Sequence, residues 1–159
     1  MSDATFRGDC GRCAGLCCVL LAFDRGPNFA FDKPAGVACR HLTASHRCQV
    51  HAQLGARGLA GCQSFDCRGA GQLVTAMFDG IDWRSTAAGR RAVEWAFAVV
   101  RDIQAMRLLL RRVTSSAAAW ELDGRLERAT QSHAALRAFD LDAARDALGA
   151  IVTRQGRPP

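Results

Sequence analysis

Cys10-Gly11-Arg12-Cys13-Ala14-Gly15-Leu16-Cys17-Cys18 decides how the chain is read, because it begins a run that holds every cysteine of the protein. Cys39, Cys48, Cys62 and Cys67 complete the eight, and residues 68–159 hold none. A Cys-x-x-Cys pair turns two sulfurs toward one metal across a tight loop, and Gly11 and Gly15 supply the backbone freedom such a loop uses. The adjacent pair Cys17-Cys18 is harder to place on one tetrahedral ion. Neighbouring side chains point to opposite faces of a strand and diverge by roughly 100° on a helix. They serve two metals, bridge within a multinuclear cluster, or leave one sulfur free.

Working outward, Val19–Phe23 reads as a short buried strand or a turn of helix. Asp24–Asn28 and Asp32–Gly36 read as turns by their Gly, Pro, Asn and Asp content, with a short extended piece at Phe29–Phe31 between them. Cys39, His41, Cys48 and His51 follow, then a small helix-like run before Cys62 and Cys67. A stretch this poor in regular structure needs a staple, and a metal site supplies one. Eight cysteines satisfy two four-coordinate ions by count, so histidine is not required. His41 and His51 stay open as additional ligands or as donors behind the ligands, and His46 reads as a solvated loop residue.

The second half is a different kind of sequence. Ser85 or Thr86 caps a long helix ending near Val113, with Val93, Ala96, Val100, Ile103, Met106, Leu110 and Val113 at helical spacing. Arg90, Arg91, Glu94, Arg101, Gln104, Arg111 and Arg112 fill its other face. A second helix starts after Ser115 or Ser116 and runs through Leu122, Leu126, Ala129, His133 and Leu136, weakened by Gly124. Asp140 caps a third, with Leu141, Ala144, Leu148 and Ile151 on one side. The expected fold is mainly α: an irregular, cysteine-rich metal-binding module over 1–71 packed on a C-terminal antiparallel bundle of about three helices over 72–153, with a loose tail at 154–159. Trp83, Trp95 and Trp120 read as core or interface packing, and His133 as a hydrogen-bonded core residue rather than a ligand.

Bulk properties narrow the function. At 159 residues the chain can bury a core without crosslinks. The start carries no signal-peptide core and no run long enough to span a bilayer. A cytoplasmic protein without a membrane partner is the expectation, and thiols there stay reduced, which favours metal ligation over disulfides. The formal charge of +6 is almost all arginine, Lys33 being the only lysine. Eight thiolates and two Zn²⁺ bring that sum to about +2. Arg12, Arg40, Arg47 and Arg68 therefore serve to offset a negative cluster. The helix arginines read as a solvated face, which makes nucleic acid the disfavoured partner. No phosphate loop, dinucleotide fingerprint, Gly-x-Ser-x-Gly elbow or evident carboxylate pair is present.

The order Cys10-x-x-Cys13-x-x-x-Cys17-Cys18, Cys39-Arg40-His41-Leu42, Cys48-Gln49-Val50-His51, then Arg57 before Cys62 and Phe65-Asp66-Cys67, resembles the bacterial cysteine-cluster proteins called YkgJ-like or CxCC. The resemblance covers about the first 71 residues. It departs in having three residues instead of two before the double cysteine, and Cys39-Arg40-His41 where a Cys-Pro-aromatic segment is usual. The layout is also similar to the cysteine-rich front module of some bacterial pentapeptide-repeat proteins, down to Gly69-Ala70-Gly71-Gln72 and Asp82-Trp83-Arg84, although the chain has no pentapeptide repeats. The resemblance implies a zinc- or iron-chelating domain. Residues and resemblance agree on a metal-binding protein whose cysteines coordinate zinc or an iron–sulfur centre, with the two metals left open and a protein partner neither required nor excluded. The spacing is not that of the ferredoxin run. A redox enzyme or accessory protein with an open metal site, its reactive thiol at Cys17 or Cys18, is the alternative. A nucleic-acid-binding regulator is the second alternative. The sequence favours a non-enzymatic role.

Overall fold

The computed structural model describes residues 3–113 and 116–155. Seven α-helices run through them: α1 (Leu16–Leu20), α2 (Ala60–Ser64), α3 (Ala70–Met77), α4 (Ala87–Val113), α5 (Ala117–Ala129), α6 (His133–Ala138) and α7 (Leu141–Gln155). Short 3₁₀ turns at Cys10–Arg12 and His51–Gln53 and isolated antiparallel bridges such as Phe23–Lys33 and Leu42–Cys48 are the regular features of the loops between them. The fold is mainly α, as expected.

The long helix forms where its apolar stripe lies. Thr86 begins it, its hydroxyl accepting from the Gly89 amide at 3.0 Å. Val93, Ala96, Val100, Ile103, Met106 and Leu110 are all buried along α4, which packs on α3, α5 and α7. Ser116 caps α5 by accepting from Ala119 N at 3.3 Å; Ser115 lies outside the described residues. Asp140 caps α7 by accepting from Ala143 N at 2.9 Å. That helix includes Arg154 and Gln155, where a loose tail was expected, and residues 156–159 lie outside the described residues.

Four expectations need correction. The second helix is two. Thr130 donates its hydroxyl to Glu127 O at 2.8 Å, and Ser132 caps a new start by accepting from Ala135 N at 3.1 Å, so His133 and Leu136 lie on α6. Such local side-chain bonds compete with helix continuation. Gln104, assigned to the polar face of α4, is 0% exposed. Of the three tryptophans only Trp83 is core, Trp95 being 40% and Trp120 62% exposed. His133 is half-buried against Phe78 and Trp95, with no hydrogen-bond partner at Nε2.

The body also carries a charge network. Arg107 is 1% exposed, and its guanidinium donates to Asp123 at 2.8 Å and to Glu127 at 2.9 Å. Arg111 reaches the other Asp123 oxygen at 3.1 Å. A buried cation of this kind persists only with partners. Helix α3, which the apolar patterning did not single out, is the surface on which the cysteine half sits. Its Ala70 and Val74 are fully buried in the same core as Leu16, Val19 and Leu20 of α1.

Candidate metal centre

All eight cysteines are free thiols, seven of them partly buried and Cys10 exposed. They lie on loops, turns and the short helices α1 and α2, whose backbone is fastened in good part by the helical body. Asp9 closes the first turn by accepting from Gly11 N at 2.9 Å. Gln72 of α3 accepts from Asp9 N at 3.2 Å and donates to Arg7 O at 2.8 Å. Thr75, one turn on, accepts from Ala14 N at 2.9 Å. Arg84 donates to Ala14 O at 2.6 Å and stacks on Trp83. The Cys10–Cys13 turn is thus tied to α3 on one side and to the Asp82-Trp83-Arg84 segment on the other.

Arg47 closes the turn from a third direction. Its guanidinium donates to Cys10 O at 3.0 Å, Cys13 O at 3.1 Å and Gly11 O at 2.5 Å. The sequence places Arg47 beside Cys48 and assigns it to charge offset. In the fold it also organises the carbonyls of a turn more than thirty residues earlier, a role the planar fork of arginine suits.

Two glycines of the Gly69-Ala70-Gly71 run let α3 meet the cysteines. Gly69 starts the helix at φ +81°, a left-handed conformation that side chains disfavour, and a Cβ there would collide with Thr5 O. Gly71 has ordinary backbone angles, but a Cβ on it would stand 2.8 Å from Cys13 Sγ and 3.6 Å from Cys67 Sγ. The absent methyl leaves a cradle in which both sulfurs rest against the helix.

Cys39, Cys48 and Cys62 lie on segments fastened by backbone contacts. Cys39 N donates to Cys18 O at 2.8 Å, Leu42 N to Cys39 O at 2.9 Å, and Leu42 bridges to Cys48. Gly61 N donates to Asn28 O at 3.0 Å and holds α2, which carries Cys62, against the stacked rings of Phe23 and Phe29. Cys17 Sγ and Cys18 Sγ are 4.0 Å apart.

Lys33 is the residue whose role was missed. It is 4% exposed. Its ammonium donates to Val19 O at 3.1 Å, Pro34 O at 3.2 Å and, in a short contact, Leu21 O. It therefore satisfies carbonyls at the end of α1 that have no helical partner. Burial pulls its pKa down, and the neighbouring Cys39, Cys18, Cys17 and Cys62 thiolates pull it back up. The only lysine in the chain was the available signal.

The thiols affect one another's charge. Burial first, then the Cys17, Cys13 and Cys67 thiolates, push Cys10 up. Burial also pushes Cys13 up, partly offset by backbone donors at Leu16 and Gly15. Cys62 is raised to about 11 by burial and then by Cys17, Cys39 and Cys48. The Cys17–Cys18 hydrogen bond holds Cys17 down and pushes Cys18 up. Crowding of acidic groups in this way is what a cation relieves.

The candidate histidines have other contacts. His41 sits edge-on to Phe31 at 5.7 Å, and His51 is exposed at the start of its 3₁₀ turn. His46 has φ +63°, and its pKa is lowered by burial and by Arg84 and Arg47. Among the described residues, no three His, Cys, Asp or Glu side chains stand close enough to hold an ion as they are. Zn–S bonds of about 2.3 Å set tetrahedral sulfurs roughly 3.8 Å apart. The Cys17–Cys18 separation is near that value, and a full set requires the loops to draw inward. In kind and in number the eight thiols are donors a thiophilic ion takes; as placed they do not surround one.

No family model and no solved structure matches the chain. It is similar to the uncharacterized protein YybG of Bacillus subtilis (strain 168), with 35% identity over 108 residues that cover 67% of this chain. The chain spans 39% of that relative's length. The 108 matched residues outnumber residues 1–71, so the similarity runs beyond the cysteine half into the helices that hold it. Among the described residues, no helix is long and apolar enough to cross a membrane.

Proposed function

We propose that the chain is a metal-binding protein whose clustered cysteines coordinate zinc or an iron–sulfur centre, in a structural or a redox-sensing role. The observation that carries this reading is that the sulfurs of Cys13 and Cys67, far apart in sequence, both stand against Gly71 of α3, 2.8 and 3.6 Å from where a Cβ would be, in a protein whose eight cysteines are all free thiols. Neighbouring thiolates push Cys10 and Cys62 up, and a bound cation would favour their charged form. The same loops have little regular structure to hold them otherwise. Nucleic-acid binding is the weaker reading, because Arg107 and Arg111 are engaged by Asp123 and Glu127 and are not free to meet phosphates.

Anaerobic purification followed by elemental analysis, sulfide assay and a visible absorbance scan tests the proposal. Stoichiometric zinc with a colourless protein supports the structural role. Iron with acid-labile sulfide and visible absorption supports the redox role. A protein that retains neither metal, and takes up neither after reduction, overturns it.

A further inference from the structure

We propose that Cys13 and Cys67 form a redox-sensitive dithiol, closed to a disulfide by a hydroperoxide and reopened by a small thiol. The device belongs to the protein without metal, so it goes beyond the metal-binding reading and does not depend on it.

The two sulfurs reach one spot from segments far apart in sequence. They stand 2.8 Å and 3.6 Å from the point where a Gly71 Cβ would be, so their separation cannot exceed those two lengths laid end to end. No side chain of Gly71 fills that point. Both backbones are held by bonds that do not involve sulfur. Arg47 donates to Cys13 O at 3.1 Å, and Thr75 accepts from Ala14 N at 2.9 Å. Ala70 N donates to Cys67 O at 3.0 Å, and Gln104 donates to Arg68 O at 2.8 Å. The fold has already met the entropy of bringing these two positions together. What remains is a short approach of two side chains.

Sulfur proximity alone does not choose the pair. Cys17 Sγ and Cys18 Sγ are 4.0 Å apart, yet they are neighbours in the chain. Adjacent Cα atoms are about 3.8 Å apart, short of the roughly 4.4–6.8 Å that a disulfide spans. A bridge there would also distort α1, which starts from Gly15 at φ +68° and whose end carbonyls are held by Lys33. Cys13 and Cys67 both lie outside the helices, where the backbone can adjust.

The chemistry closes in two steps. One thiolate attacks a peroxide oxygen and becomes a sulfenic acid; the O–O bond breaks, and the leaving oxygen takes a proton and departs as water or an alcohol. The second thiolate attacks that sulfur, the S–O bond breaks, and hydroxide leaves as water. Two sulfurs are oxidised and one peroxide is reduced. Two molecules of a small thiol such as glutathione reverse this by exchange and end as their own disulfide. Transient disulfides of this kind occur where thiols are otherwise kept reduced. If the same sulfurs serve a metal, closing the bridge withdraws two donors from it, a consequence that rests on the metal-binding reading.

The test uses the full chain, reduced, stripped of metal and treated with hydrogen peroxide. Remaining thiols are alkylated with iodoacetamide, and unreduced tryptic peptides are sequenced by mass spectrometry. The expected product is a monomer with Cys13 joined to Cys67 and labels on the other six cysteines. Glutathione should return all eight to the labelled form. Cys67→Ser should lose the link and Cys17→Ser should keep it, with helical circular dichroism unchanged in both. A bridge at Cys10–Cys13 or Cys17–Cys18 in its place, a bridge between chains, or sulfinic acid without a bridge overturns the dithiol. Zinc separates the two readings. Protein loaded with zinc should form the link more slowly and release the ion as it forms. A link that forms at the same rate with zinc present leaves the dithiol standing and removes these two sulfurs from the metal site.

Discussion

The side-chain amide of Gln104, inside α4, donates to the carbonyl of Arg68 at 2.8 Å and to that of Thr5 at 3.2 Å. One fully buried residue of the helical body thereby holds the turn after Cys67 and the segment before Cys10. Arg68 itself has φ +52°, an unfavourable conformation for a long side chain that this contact and the Asp66 cap help to maintain. Replacing Gln104 with leucine removes the donor and leaves two carbonyls without it. We expect a loss of about 1–3 kcal/mol in denaturant unfolding, together with lower metal content. Full stability in this variant would show that the helices do not hold the cysteine half through this residue.

Arg107 links α4 to α5 by charge. Truncation to alanine leaves the largely buried Asp123 with Arg111 as its remaining cation, and the expected cost is up to about 3–5 kcal/mol. The double change Arg107→Met with Asp123→Leu removes both charges and should recover a large part of that loss. The comparison is read from two urea curves, and equal destabilisation in the two variants would contradict it.

Gly71→Ala sets two effects against each other. Alanine is better than glycine in a helix by up to about 1 kcal/mol, and displacement of Cys13 works against that gain, so the stability of the metal-free protein should change little. The added methyl would stand 2.8 Å from Cys13 Sγ and displace it. Zinc affinity should therefore fall on the order of tenfold or more, the scale seen when groups supporting a metal site are disturbed. Thermal unfolding without metal and competition with a chelator separate the two. Unchanged affinity would remove Gly71 from the site.

The helical half was legible because burial follows periodicity: the Val93–Leu110 stripe, the Thr86 start and the Asp140 cap all appear where spacing and capping chemistry put them. The same rule hid Gln104 and Arg107. Both lie on the buried side of α4 between Ile103 and Leu110, and a polar residue there is a signal that it has a partner across the core. Asp123, beside Leu122 and Leu126 on α5, is the matching signal for Arg107. The cysteine half was legible as chemistry and not as geometry, because its loops are ordered by side-chain to backbone bonds over long separations. Nothing local to Arg47 indicates that it meets Cys10, and nothing local to Lys33 indicates that it ends α1. Helix α3 is short, with glycine at its cap and at its second residue, and its role becomes visible only when the sulfurs are placed against it.

Arg47→Ala tests whether the first turn needs its outer clamp. The side chain is exposed, so the effect on global stability should stay below about 1 kcal/mol. Three carbonyls lose their shared donor, and the turn gains freedom. Metal transfer to a chelator should speed up on the order of tenfold, with Arg47→Lys restoring only part of the effect because an ammonium lacks the planar fork. Identical transfer rates in wild type and both variants would assign Arg47 to charge offset alone.

Proton release gives the last prediction. In the metal-free protein, burial and neighbouring thiolates raise Cys10 and Cys13, and Cys62 to about 11, so these thiols hold their protons at neutral pH. A metal binds thiolate, not thiol, and must displace them. A raised pKa means that the protonated form is favoured in the metal-free fold; apparent zinc affinity should therefore fall as pH drops from 8 to 6, and proton release should accompany uptake throughout that range. Calorimetric titration in two buffers of different ionisation enthalpy counts the protons. An affinity independent of pH, with no protons released, would mean that the sulfurs are not the ligands.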